Sequence, residues 1–369
     1  TWQMARLLTA TFPILLVACT SNGDSSGDSA DPRDDIDSDV VGVIRTLDHV
    51  PQSDAQLKLG GDTQDANGAG IAVTLHIPPG NIPAKGLLDG HAQSDVSVDV
   101  LSGWDSAAQF YVVPFTEYTA QVTNGAAQIT EPGVFTIAAP AESLELGNAP
   151  ANESLTVRVA VVSRADTLAM PGSLNALSLD AVVSPIRLFH AIRLKRPDGE
   201  AWSFEEPAIL SIDIAADDPM RTAGELYWYW YNPEQGYWQR TSQVSIAGDV
   251  ASGSISLFAW WGIGSPNLGD QSCAKGRVET ASGDPIPRAE VLLWADDIFG
   301  THRTHTDFQG NFCASVPREA NVNARVFGID QFSGVRFQGA TSFVSEPTTT
   351  DCATTCVDIG TVQTEAVGR

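Results

Sequence analysis

The side chains with chemistry to offer are few and scattered along the 369-residue chain. His302 and His305 stand at a spacing that suggests a metal pair, but the sequence around them reads as a strand, where positions three apart point to opposite faces. One ion cannot easily use both, so no metal is assigned to them. Asp62, Asp65 and Asn67 ahead of Gly68 carry the acid-and-amide spacing of a calcium loop. No bidentate acid closes that loop, and a plain turn is expected. Gly23-Asp24-Ser25-Ser26-Gly27 fits the serine-hydrolase elbow pattern. The elbow needs a strand before it and a helix after it, and its Ser, Gly and Asp surroundings supply neither. Asp307 is expected to cap its own turn. The densest aromatic stretch runs Tyr227-Trp228-Tyr229-Trp230-Tyr231, then a Pro-Glu-Gln-Gly turn, then Tyr237-Trp238. It reads as a hairpin whose period of two sets Trp228 and Trp230 on one face and the tyrosines on the other. Trp228, Trp230 and Trp238 are therefore candidate ligand-binding residues, as a stacking platform for sugars. The alternative, which we favour, is that one face is core and the other supports cross-strand pairs worth up to about 1 kcal/mol each.

The elements that must position these groups are strands. Residues 40–265 alternate in short runs such as Ile71 to Ile77, Val96 to Val100 and Val250 to Trp260, broken by Gly, Pro, Asn and Asp about every ten residues. No amphipathic run is long enough for a convincing helix. The fold class is all-β, as tandem β-sandwiches. A weak internal repeat places a boundary near Glu131 to Gly133, giving units 40–132 and 133–265, with a single large sandwich as the alternative. A linker from Gly264 to Gln271 precedes a third unit, 272–362.

The start of the chain says where the protein resides. Arg6 supplies a positive n-region, Leu7 to Ala18 a mostly apolar run, and Leu16-Val17-Ala18-Cys19 closes it. Spanning a bilayer takes roughly 20 apolar residues, so this run is too short. The tetrapeptide resembles a bacterial lipobox, which implies a signal-peptide segment 1–19 that ends at the lipobox cysteine, with cleavage just ahead of Cys19 leaving that acylated cysteine as the new N-terminus. Thr20 where aspartate often retains such proteins at the inner membrane implies the outer membrane. Residues 20–39, mostly Ser, Gly and Asp, read as a disordered tether. The formal net charge of −24 argues against nucleic-acid binding and against adsorption to anionic lipid, leaving the acyl anchor to make the membrane contact.

Cys273, Cys313, Cys352 and Cys356 form an even set in an exported unit and read as disulfides. Three connectivities stay open, with Cys273–Cys313 plus Cys352–Cys356 preferred over the other two. Zinc is the competing use, without ligand-like spacing on both sides.

Two resemblances bear on the body. Leu188 to Leu194, Pro197-Asp198-Gly199, the aromatic hairpin and Phe258 to Trp261 together resemble a β-sandwich region of the cartilage intermediate layer proteins. Gly276-Arg277-Val278, then Gly283-Asp284-Pro285-Ile286-Pro287-Arg288-Ala289-Glu290-Val291, then Thr304-His305-Thr306-Asp307-Phe308-Gln309-Gly310-Asn311-Phe312 resemble the carboxypeptidase regulatory-like domain. That likeness implies a seven-stranded sandwich of the transthyretin type acting as an accessory module. None of the histidines opens the zinc motif of the catalytic domain that such modules accompany. The function expected is a non-catalytic envelope scaffold or adhesive lipoprotein in contact with surface protein or glycan, needing no cofactor. A carbohydrate-binding lipoprotein is the runner-up, and an enzyme with a dispersed carboxylate site the third reading.

Overall fold

Two apolar patterns in the sequence build two kinds of strand. Alternating segments such as Gln56–Leu59 bury every second residue. Continuous apolar runs, Val40 to Ile44 and Ala107 to Val113, belong to strands covered on both faces. The computed structural model describes residues 38–123, 126–140, 156–162, 164–177, 183–195, 203–266, 271–295, 298–331, 333–347, 352 and 356–368. Cys19, the Gly23 to Gly27 string and the tether up to residue 37 lie outside them. Ser38 and Asp39, expected to end the tether, open the first strand instead.

The first sandwich packs two four-stranded sheets. In one, Ser38–Thr46 lies between Ile71–Ile77, antiparallel, and Ser106–Pro114, parallel, with His91–Ala92 at the edge. The other runs Asp62–Asp65, Gln56–Leu59, Gly80–Leu87, Ser94–Val100. Ile44, Leu57, Val96, Val98 and Phe110 fill the space between them. Gly86 is required there, since a Cβ on it would stand 2.5 Å from Phe110 Cβ.

The middle sandwich pairs a six-stranded sheet with one carrying the aromatic hairpin. The first contains Ala126–Glu131, Phe135–Pro140, Ser203–Asp213 and Val250–Leu257. The second contains Thr156–Val162, Val183–Lys195, Trp260–Pro266, Tyr227–Asn232 and Tyr237–Gln243. Its boundary differs from the expectation. Gly133, at φ 76°, closes a hairpin whose two strands, Ala126–Glu131 and Phe135–Pro140, both belong to this sandwich. Thr116–Thr119 pairs with Thr156–Val162 as well. The boundary that the internal repeat places there falls on an ordinary strand connection.

Seven strands make the C-terminal sandwich: Gln271–Thr280, Glu290–Ala295, Ile298–His305, Asn311–Pro317, Asn321–Ile329, Arg336–Val344 and Val357–Gly368. Val278, Val291, Leu293, Phe312 and Val326 form its core. The protein is thus an all-β assembly of sandwiches, and they are docked. Val41, Val43 and Ala107 of the first sandwich pack on Phe327 and Ile329 of the third. Leu188 of the middle unit bridges to Phe299 of the third, so the two sheets run on into one another. Among the described residues, no helix is long and apolar enough to cross a membrane.

Candidate ligand-binding site

The hairpin expected at 227–238 forms: Tyr227–Asn232 pairs with Tyr237–Gln243, and Tyr231 lies opposite Trp238. Its faces divide as the period of two requires, but both are covered. Trp228 joins Phe189, Ile192 and Trp261 in the core against the six-stranded sheet. Tyr229, Tyr231 and Trp238 join Ala92, Val113 and Phe299 on the opposite side. Trp228 and Trp238 are 0% exposed, which removes them as a sugar platform. Gly253 admits the Trp228 indole, for a Cβ there would lie 1.9 Å from Trp228 Nε1. Trp230 is the exception, half-buried at the wall of a cavity.

That cavity, about 500 Å³, opens at the seam between the first and middle sandwiches. Lys85, Gln93 and Asp95 line it from the first, Arg193, Lys195 and Trp230 from the second. Antiparallel pairing sets Lys85 directly opposite Asp95. The strand Ser94–Val100 turns Val96, Val98 and Val100 into its own core and Asp95, Ser97 and Asp99 outward. Docking of the middle unit then buries Asp95 to 2% exposure. Gln93 Nε2 donates to both carboxylate oxygens, at 2.9 and 3.1 Å.

The electrostatics follow from this burial. Desolvation pushes the Asp95 carboxyl above its ordinary range, against the pull of Arg193, Lys85, Gln93 and Trp260. Desolvation also pulls Arg193 down, opposed by Asp95. Arg193 spends Nη1 on the carbonyls of Leu194 and Phe258, at 2.8 and 2.9 Å, and its Nε has no partner. Burial, then Arg193 and Arg158, pull the Lys195 ammonium down. The Trp260 indole N–H lies close enough to Asp95 to favour the ionised carboxylate, yet falls short of a well-formed hydrogen bond. Buried donors without acceptors beside a buried acceptor short of donors make a site able to bond a ligand in both directions.

These residues are absent from the sequence reading, because Asp95 sits where alternation predicts a solvent face and the groups that cover it, Arg193, Lys195 and Trp260, lie about a hundred residues or more away in the chain. The other candidates resolve simply. Asn67 Oδ1 accepts from the Ala69 and Ile71 amides, as a turn, while Asp62 and Asp65 lie on an exposed strand. Asp307 Oδ1 accepts from the Gln309 and Asn311 amides, capping its turn as expected. His302 is buried, its pKa pulled down by desolvation to about 4, and His305 Nε2 bonds the Ala107 carbonyl.

The four cysteines pair as Cys273–Cys356 and Cys313–Cys352, which corrects the preferred pairing. Gln271–Thr280 runs parallel to Val357–Gly368 with Ala274 beside Val357, so Cys356 arrives next to Cys273. On the other flank Cys313 lies opposite Lys275, not Cys273. The two bridges nearly touch, with Cys313 Sγ 3.4 Å from Cys356 Sγ. Sulfurs joined this way offer no thiolate for a metal.

No family model and no curated protein matches the chain. Among solved structures it is similar to the Bacillus anthracis TIE protein, at 9% identity and TM-score 0.20, covering 90% of this chain and about half, 51%, of that one. It is likewise similar to BcpA, the major pilin subunit of Bacillus cereus, at 7% identity and TM-score 0.19, covering 89% of this chain and 99% of that one. The full-length major pilin SpaD of Corynebacterium diphtheriae stands at 8% and 0.20, covering 89% and 97%. Superposition this loose carries no argument about the present chain, whose reading rests on its own geometry.

Proposed function

We propose that this chain is a non-catalytic cell-envelope lipoprotein whose docked β-sandwiches serve as a structural, adhesive or contact scaffold. The observation that carries this is two-sided burial. Ser38–Thr46 and Ser106–Pro114 are covered on one face by their own core and on the other by the C-terminal sandwich. Units joined this way hold a fixed arrangement, which a scaffold needs and a string of linked modules lacks. In this reading residues 38–114, 116–266 and 271–368 are the three units, and the last, by its motifs, is of the carboxypeptidase regulatory-like type. Cys19 carries the acyl chains, residues 20–37 form the spacer, and the outer membrane is the site of attachment. Stable anchoring takes more than one acyl chain, as a diacylglyceryl cysteine supplies. The partners are the membrane through that lipid and a surface protein or glycan.

Labelling cells with a radioactive fatty acid tests the anchor. Wild-type protein is expected to carry label in the outer-membrane fraction and Cys19→Ala to carry none. An unlabelled wild-type protein would refute the lipoprotein reading. A second reading, carbohydrate binding at the surface, is favoured by the seam cavity with Trp230 in its wall. A glycan array probed with the mature protein separates the two.

A further inference from the structure

The seam cavity has a chemistry of its own, distinct from the tryptophan platform that the hairpin sequence suggests. Lys85, Arg193 and Lys195 face Asp95 and Glu234 across it, leaving a local excess of positive charge in a protein of net charge −24. Such a pocket gathers anions that the rest of the surface repels. Its volume of about 500 Å³ sits inside the span of roughly 300–1,000 Å³ common to small-molecule sites and suits one or two sugar rings.

The polar atoms narrow the ligand further. Asp95 is 2% exposed and accepts from Gln93 alone among the hydrogen bonds of the described residues, so it has acceptor capacity left. Arg193 Nε is buried without an acceptor, and the Trp260 Nε1–H, 2% exposed, lies beside Asp95 without closing a well-formed hydrogen bond to it. A ligand that satisfies these must donate and accept at neighbouring atoms. A fatty acid has no donors for Asp95, and a bare anion offers nothing to the half-buried ring of Trp230. A polyhydroxylated ring does both, and a carboxylate on it answers the two lysines with charge-assisted bonds.

We propose that this cavity binds a saccharide bearing a carboxylate, of the uronic-acid class. Lys85 and Lys195 pair with the carboxylate, Asp95 accepts from ring hydroxyls, Trp260 Nε1–H donates to ring oxygens, and Trp230 covers an apolar ring face. The lining comes from two sandwiches, so the ligand also ties the first unit to the second. The proposal sharpens the carbohydrate reading and does not depend on the lipid anchor.

Isothermal titration of the mature chain with digalacturonate, neutral digalactose and inorganic phosphate tests it. Digalacturonate is expected to bind with an affinity that falls as salt rises. Neutral digalactose is expected to bind at least tenfold more weakly. Lys85→Gln and Lys195→Gln should each weaken uronate binding at least tenfold, while Lys275→Gln, on the exposed surface of the third unit, leaves it unchanged. Circular dichroism establishes that each variant is folded, and the salt dependence of the wild type decides the matter if one is not. Phosphate matching the uronate, equal binding of digalactose, or no uronate binding would each overturn the proposal. Array binding of neutral glycans alone would overturn it too, while leaving the broader carbohydrate reading in place.

Discussion

The strand Ser94–Val100 meets both neighbouring sandwiches with one polar face, and the two seams are built on different electrostatics. Toward the C-terminal unit, opposite charges touch. Arg288 Nη2 lies 3.1 Å from the exposed Asp99 Oδ2, and nearby Arg303 Nη1 lies 2.7 Å from Glu290 Oε1, the Arg303 and Glu290 side chains being almost wholly buried. The Gln109 amide of the first sandwich donates to Glu290 Oε2 at 2.6 Å, stitching the pair across the seam. Toward the middle unit, Asp95 and Arg193 are both withdrawn from water, yet no ion pair joins them among the described residues. Desolvation is offset by contact at one seam and left standing at the other. The first seam is closed, while the second keeps a hollow with polar atoms in its wall.

Chemical unfolding should show the largest effect on the closed side. Reducing both bridges should selectively loosen the C-terminal sandwich, by about 4 kcal/mol for each closed loop on chain-entropy grounds. Their separations are 83 and 39 residues. Peptide mapping without reductant should recover Cys273 with Cys356 and Cys313 with Cys352; four free thiols would contradict the structure. Next comes Arg303→Met, which strands Glu290 and should cost roughly 3–5 kcal/mol in urea unfolding. Adding Glu290→Leu should recover most of that loss. If the single and double variants are equally destabilised, the pair is not what closes the seam.

Acid should act in opposite senses on Asp95 at the open seam and on His302, which lies opposite Leu293 of the C-terminal core. Burial raises the Asp95 carboxyl above its ordinary 3.8, so the folded state keeps a proton that the unfolded chain releases. Stability therefore falls as pH climbs through that window, and wild type carries the penalty at neutral pH. Asp95→Asn should be the more stable protein there, the gap closing as pH drops below the ordinary carboxylate range. His302 behaves the other way. With its pKa lowered from 6.5 to about 4, the unfolded chain takes the proton first, and stability is lost as pH falls between those values. His302→Leu should flatten that part of the profile. The smallest effect is Tyr231→Phe. The Tyr231 hydroxyl is buried without a partner, so removing it should leave stability within about 1 kcal/mol of wild type, or raise it.

Much of this architecture was legible from pattern alone. Alternation located the strands, and the Tyr-Trp repeat gave the hairpin and its two faces. Turn chemistry gave the Asp307 cap. What stayed hidden is whatever depends on a second neighbour. The outward face of Asp95, Ser97 and Asp99 reads as solvent-facing, because polarity alternates there as it does on any half-exposed strand. Covering by another sandwich leaves no local mark. The apolar runs at Val40 and Ala107 signal burial on both sides without naming the partner. Disulfide pairing failed for the same reason. Cys356 reaches Cys273 through a parallel pairing of strands from opposite ends of the unit, and the short spacing between Cys352 and Cys356 points elsewhere. The repeat that placed a boundary near Glu131 to Gly133 misled because similar strand-loop-strand patterns recur within one sandwich as readily as between two.

The position of Ser38–Thr46 bears on how the molecule resists pulling. This strand, the first after the acidic segment, lies inside its sheet, with ladders to Ile71–Ile77 and Ser106–Pro114 on either side. Tension applied to the chain ahead of Ser38 acts along the strand axis, perpendicular to most of these hydrogen bonds. Both ladders then share the load together, where an edge hairpin would peel one bond at a time. A body held by one end against flow, or between two surfaces, is mechanically strongest when its point of attachment is set in this way.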